Sequence, residues 1–295
     1  MPDLTLWIAL SLTDHVGSKT LNALVQHFGD RPDAILSAST DALQQVPGIG
    51  PKIARSIQAV DLEQVRRALA DWQASEIITA TSINPDQHYP PLLLRLDDPP
   101  ATVFMRGQWQ PSHNNAVGVV GTRQPSAAAQ TLAHAIATRL AQNDVTVVSG
   151  LALGVDAASH EGALSVPGGR TIAVLGSGVR NIYPAANQAL AMRCLERGVI
   201  LSEVHPDAQP SAPRLVARNR MITGLSHALI VVETAADGGA MHAARVAQRQ
   251  GCPVYTFDLG ASGNRELLAN GARLLKTDLS NFNCLFEHLP RISDQ

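Results

Sequence analysis

The sequence predicts an α/β protein, a parallel sheet covered on both faces behind a small all-α module at the N-terminus. From Ala116 onward, β-branched runs alternate with helical stretches, the pattern of strands joined by crossover helices. Each run ends in small or polar residues, as strands do where they open onto a ligand crevice. The first sixty residues instead show helical spacing, which gives domain limits of 1–60 and 61–295.

In the front module, Leu21, Leu24, Val25 and Phe28 recur at helical spacing, with Ser18 expected as N-cap. Short helices follow at Ala34–Leu36 and Asp41–Leu43. Val46-Pro47-Gly48-Ile49-Gly50-Pro51-Lys52, with Ile53 and Ile57 behind it, is the helix-hairpin-helix pattern. Such a turn can bring backbone N–H groups and a helix N-terminus to a DNA phosphate, or simply pack two helices. A helix over Asp61–Ala74 leads to a strand at Ile77–Thr79, a proline-marked stretch and a strand at Val103–Met105. Gln108–Asn115 is polar and turn-like.

Strands are then expected at Val117–Val120, Val145–Val148, Thr171–Leu175, Val199–Leu201, Ala228–Val232 and Pro253–Thr256. Helices are expected at Pro125–Gln142, Val155–Leu164, Asn187–Arg197 and Ala240–Gln250. These runs are apolar throughout rather than alternating, which is why both faces of the sheet should be covered.

Hydrophobic residues make up 45% of the 295 and charged ones 16%, enough apolar material for a sizeable core. With a formal net charge of −2, nucleic acid could be held only through a local basic patch. Cys194, Cys252 and Cys284 stand far apart with no CxxC spacing, arguing against a disulfide framework or zinc knuckle. The apolar stretch Leu4–Leu12 is short and lacks the positive flank of a secretory signal. No window approaches the roughly 18 apolar residues of a membrane span. The expectation is a cytoplasmic protein without membrane attachment, metal or cofactor.

The expected strand ends carry Gly121-Thr122-Arg123, Ser149-Gly150-Leu151-Ala152-Leu153-Gly154 and Gly176-Ser177-Gly178. Glycines let a backbone approach a phosphate, and Arg123 can fork two N–H groups onto its oxygens. Neither the G-x-G-x-x-G fingerprint nor the P-loop is present. Arg214, Arg218, Asn219 and Arg220 form a second basic segment. There Arg214 is the better placed to reach a ligand, while Arg218 and Arg220 could instead pair internally with Glu203 or Glu233. Asp156 and His160 share a helix face. They could act as an acid/base pair, but Asp156 favouring the helix start and His160 bonded inside is the plainer reading. His242 is expected on a helix surface.

Taken in order, these segments resemble the DNA-processing protein A (DprA/Smf) family. The matching residues are Tyr89-Pro90-Pro91-Leu92, Asp98-Pro99-Pro100, Gly121-Thr122-Arg123, Ser149 through Leu164, Thr171 through Gly178, Tyr183-Pro184, Leu201-Ser202-Glu203 and Arg218 through Ser226. The likeness runs over roughly residues 7–275. It implies an extended Rossmann-like domain with a helix-hairpin-helix/SAM-like front module and a pocket for single-stranded DNA phosphates. It also implies a homodimer, loading of the RecA recombinase in natural transformation, and no catalysis of its own. In three places the chain departs from the family pattern. Val216-Ala217 stand where an aromatic-proline pair precedes Arg-Asn-Arg. The segment 238–258 is altered and its loop shortened. After Phe286 there is no room for the C-terminal winged helix of many members. Two other readings compete: a nucleotide-sensing or partner-binding module, and an enzyme cleaving nucleoside monophosphates. The enzyme's Pro-Gly-Gly-x-Gly-Thr-x-x-Glu motif is replaced here by Asp237-Gly238-Gly239-Ala240-Met241-His242.

Overall fold

The computed structural model describes residues 4–83 and 85–289. Two compact units emerge, Met1–Tyr89 with Asp97–Phe104, and Pro90–Leu96 with Met105–Gln295.

The first unit holds α1 (Leu4–Ser11), α2 (Ser18–Phe28), α3 (Pro32–Ser37), α4 (Thr40–Gln44), α5 (Pro51–Gln58) and α6 (Leu62–Ala74). The strand β1 (Ile78–Thr81) belongs to it, and so does most of β2 (Thr102–Arg106). Trp7, Leu10, Leu21, Leu24, Ile35 and Leu43 are all but fully buried together, so the short helices gain stability from a shared core rather than from length. Val46 and Ile49 of the helix-hairpin-helix turn point into that core, and Gly48 between them takes φ +86, a left-handed conformation that suits glycine. Two sequence expectations shift here. Ser18 is not the N-cap: Gly17 takes the extended cap conformation, and Ser18 is the first, buried residue of α2. The strand expected at Ile77 starts one residue later, because the Ile77 N–H closes back on the Trp72 carbonyl (2.8 Å) and ends α6. Asp61 caps α6 by accepting from the Glu63 and Gln64 N–H groups.

The second unit alternates strand and helix: β3 (Ala116–Val120), α7 (Ala127–Gln142), β4 (Thr146–Ser149), α8 (Val155–Leu164), β5 (Thr171–Val174), α9 (Gln188–Arg197) and β6 (Gly198–Ser202). Next come α10 (Ala212–Ala217), α11 (Asn219–Gly224), β7 (Leu229–Val231), α12 (Gly239–Arg249), β8 (Val254–Phe257), α13 (Ser262–Ala269) and β9 (Arg273–Leu275). Its strands run parallel in the order β6-β5-β4-β3-β7-β8-β9. The chain thus winds outward from β3 through β6, returns to β3's other side and winds out again, so β3 marks the topological switch point. Every residue of β3 through β8 is buried, as their unbroken apolar runs require. The buried Asn264 side chain joins the ends of β7 and β8, donating to the Val232 and Phe257 carbonyls and accepting from the Thr234 N–H. The helix expected from Pro125 begins at Ala127 behind Ser126, whose hydroxyl accepts from the Ala129 N–H.

Candidate functional site

In a doubly wound sheet an anion is expected where the helix after the first strand begins. Here the protein fills that place itself. The Glu233 carboxylate, after β7, accepts from the Ser126 N–H (2.7 Å) and hydroxyl (2.9 Å) at the start of α7. The Thr122 N–H also bonds the Glu233 carbonyl (2.8 Å). A carboxylate on a helix N-terminus satisfies the dipole and repels a phosphate. The dinucleotide-type position is therefore closed.

The opening lies to the other side, over the carboxyl ends of β3, β4 and β5. Its wall is formed by Arg123, Gly150, Ala152, Leu153, Tyr183, Pro184, Leu215 and Arg218. The loop after β4 is its floor, and internal bonds hold that loop from several directions. Asp156, in the first turn of α8, accepts from the Gly150 N–H (3.1 Å) and Ala152 N–H (3.4 Å). Asn187 donates to the Leu151 carbonyl (2.9 Å), and Leu151 takes a left-handed φ of +57 that a side chain resists without such support. Gly154, at φ +79, turns the chain into α8 against the Thr122 carbonyl.

Arg218 is the centre of this brace. Only 6% exposed, it donates to the Gly150 and Val174 carbonyls at the ends of β4 and β5 and pairs with Asp156 (3.7 Å). A Cβ on Gly150 would coincide with the Arg218 guanidinium, so that glycine makes room for an arginine of the protein itself. Burial lowers the Arg218 pKa from its ordinary value, the Asp156 carboxylate opposes the shift, and the nearby Arg123 charge adds to it. Burial likewise raises the Asp156 carboxyl, against the pull of Arg218 and the two loop N–H groups.

Arg123 stands in contrast. It is exposed, lines the opening, and has no hydrogen bond or ion pair among the described residues. Its backbone is nonetheless held: the Gln124 N–H donates to the Thr122 hydroxyl (3.2 Å), and the Thr122 carbonyl accepts from the Val155 N–H (3.2 Å). With Arg218 neutralised by Asp156, the guanidinium of Arg123 leaves the opening positively charged.

The remaining sequence candidates separate into roles. Ser149 is buried and donates to the Val119 carbonyl (2.6 Å). Gly121 packs on Val155, Gly176 on the Arg214–Leu215 backbone, and Gly178 on the His205–Pro206 backbone, so each is small because protein presses against it. Arg214 is exposed outside the opening and donates to the Gln209 carbonyl (2.8 Å). Arg220 pairs with Glu203, the internal partner the sequence offered, and Asn219 is buried. Arg123, Gly150 and Arg218 are thus brought together, while Arg214 and Arg220 lie apart. Tyr183, Leu153 and Leu215 line the opening and were not among the expected site residues, although Leu153 lies in the glycine-rich loop and Tyr183 in a matching segment. The available signal was an aromatic residue in the loop that follows Gly176-Ser177-Gly178.

His160 does not face the opening. Its Nδ1 lies 2.6 Å from the Thr171 hydroxyl, and it is fully buried. Burial, then Arg218, pushes its pKa down to about 3. His113 is also buried, accepting from the Gln110 N–H at Nδ1, and burial followed by Arg170 pushes it down to about 4. Both imidazoles stay neutral in the folded chain while their unfolded counterparts protonate below about 6.5. Stability is therefore complete above pH 6.5 and falls as pH drops from there toward 4, by about 1.4 kcal/mol per pH unit for each histidine. The raised Asp156 carboxyl acts with the opposite sign, and the His227 imidazole, lowered chiefly by burial, acts with the same sign as the other two. Urea unfolding at pH 7, 5.5 and 4.5 should show this slope, and His113→Gln should reduce it. An unchanged slope in that variant removes His113 from the account.

His242 is exposed on α12, which begins at Gly239. Burial pushes the Cys194 and Cys252 thiols up to about 12, so both are poor nucleophiles. Among the described residues no helix is long and apolar enough to cross a membrane.

Known proteins are similar to this chain in sequence and in fold. The family model described as DNA recombination-mediator protein A matches residues 80–285, and a helix-hairpin-helix motif matches residues 5–64. The chain belongs to the DNA recombination-mediator protein A family. Protein Smf of Synechocystis sp. is 34% identical over 283 residues, covering 92% of this chain and 70% of that protein. DNA processing protein DprA of Bacillus subtilis is 31% identical over 268 residues, 88% of each chain. Among solved structures, DNA processing protein A from Streptococcus pneumoniae superposes with a TM-score of 0.82 at 26% identity, covering 99% of this chain and 100% of that one. The structure describing the single-stranded DNA binding mode of DNA processing protein A from Helicobacter pylori gives 0.64 at 29% identity, covering 73% and 98%. For this DNA recombination-mediator protein A family member, the extended Rossmann-like fold and the helix-hairpin-helix front region read from the sequence both hold.

Proposed function

We propose that the chain binds single-stranded DNA at the opening beside Arg123, as a binding protein without catalysis of its own. One observation carries this reading: an unpaired guanidinium stands at the carboxyl ends of the strands, next to a loop rigidified by Arg218, Asp156 and Asn187. A lone arginine beside a rigid floor addresses the phosphate backbone, which every sequence presents, rather than base edges. The likeness to the Helicobacter pylori protein, whose structure concerns single-stranded DNA, supports the same reading. The glycines and small residues at 121, 122, 149, 150, 154, 176 and 178 shape and support the site. Arg214 is close enough in sequence to extend it along a strand. The finer role carried by the resemblance is that the protein works as a homodimer, protects incoming DNA in the cytoplasm and hands it to RecA during transformation.

The test is anisotropy titration of labelled oligothymidylate and of a blunt duplex of equal length at one salt concentration. The single strand should bind more tightly, with little dependence on its sequence. Equal affinity for the duplex overturns the reading.

A further inference from the structure

We infer that Tyr183 is the base-stacking surface of this opening. The inference rests on the single-strand reading above and extends it from the phosphate to the base.

Among the described residues, Tyr183 is the one exposed side chain of the Phe, Trp and Tyr set, at 40%. The three tryptophans, the other two tyrosines and Phe104, Phe257 and Phe282 are all buried. A lone exposed ring needs no explanation by itself. This one, however, lies on the wall of the opening that carries the unpaired Arg123. Leu153, 44% exposed, and Leu215 line the same wall. Apolar surface next to a single cation does not suit inorganic phosphate. It suits a repeating unit with a charged group and a flat apolar face, which is a nucleotide within a strand.

The loop that carries the ring is also well supported. Upstream, the Ser177 hydroxyl donates to the Asn181 carbonyl (2.6 Å), and the Asn181 side chain donates to the Asp207 carbonyl (2.7 Å). Downstream, the Asn187 N–H bonds the Pro184 carbonyl (2.9 Å). Asn187 is the same residue that pins the Leu151 carbonyl on the pocket floor. Tyr183 is therefore held at both ends of its loop and tied to the element that shapes the site. A ring carried on a braced loop is presented in place for a base, and stacking tolerates any base because each has a π-face.

The decisive comparison uses the full chain with oligothymidylate and with an abasic deoxyribose-phosphate oligomer of the same length. Wild type should prefer the thymidylate strand, and Tyr183→Ala should weaken that strand's binding about 5- to 150-fold, the range of one stacked base. The same variant should bind the abasic oligomer like wild type, and the slope of log affinity against log salt should not change, since no phosphate contact is lost. Tyr183→Phe, which keeps the ring and drops the hydroxyl, should bind thymidylate nearly as wild type does. The inference is overturned if Tyr183→Ala binds thymidylate as tightly as wild type, if it loses equally on the abasic oligomer, or if Tyr183→Phe is as weak as Tyr183→Ala. If wild type binds neither oligomer, the single-strand reading itself fails, an outcome separate from those three.

Discussion

Arg218→Met is expected to destabilise the protein by about 3–5 kcal/mol while leaving the salt dependence of DNA binding unchanged. The guanidinium is buried, and it joins the ends of β4 and β5 by donating to the Gly150 and Val174 carbonyls. Removing it strands the Asp156 carboxylate, 4% exposed, with two loop N–H groups and the Ser149 hydroxyl as its remaining partners. Leaving a buried charge without its counterion is among the few single changes that reach such magnitudes. Arg218→Lys should recover little, because a point charge on a flexible stem cannot serve two carbonyls and a carboxylate at once. Asp156→Asn should also destabilise, and the double variant should cost less than the sum, with a coupling of about 0.5–3 kcal/mol. Denaturant midpoints of the four proteins test this directly. If Arg218 instead gripped phosphate, Arg218→Met would keep its midpoint and flatten the salt slope.

That contrast explains which parts of the protein could be read from sequence. The alternation of apolar runs and helices marks the parallel sheet because burial on both faces leaves no other composition open to those strands. Val155–Leu164 is a helix with the expected bounds, and the glycine-rich strand ends fall where expected. Local pattern does not say what fills the space beside a glycine. Gly150 and Gly176 carry the signature of a phosphate cradle, yet the atoms against them are Arg218 and the Arg214–Leu215 backbone. Arg123 follows Gly121-Thr122 at the end of β3, and Arg218 follows Ala217 between α10 and α11. They differ because α8 brings Asp156 to one of them and nothing comparable to the other. The closing of the α7 N-terminus by Glu233 is another long-range event, since it requires β7 to lie beside β3. At the small scale, Ser18 was displaced as cap because either of two adjacent residues can adopt the extended cap conformation, and Gly17 does so.

Arg123→Ala is expected to weaken single-strand binding about 10- to 100-fold, the value of a charge-assisted hydrogen bond to phosphate. Its melting temperature should stay within a degree or so of wild type, because the side chain is exposed and has no partner among the described residues to lose. The loss should be uniform across oligonucleotide sequences, since a phosphate contact carries no base information. One fewer phosphate neutralised should also flatten the slope of log affinity against log salt by about 0.7. Lysine at this position should restore the slope, which counts charge, but not the full affinity, which depends on a fork reaching two oxygens. Each of the three arginines lying near the opening in space or sequence therefore has its own signature. Arg218 variants lose stability at constant slope, Arg123 variants lose slope at constant stability, and Arg214, bonded to the Gln209 carbonyl outside the opening, changes affinity only if the strand extends past it. A folded Arg123→Ala protein with wild-type affinity and wild-type slope would exclude Arg123 as the phosphate contact and remove the observation on which single-strand binding at this opening rests.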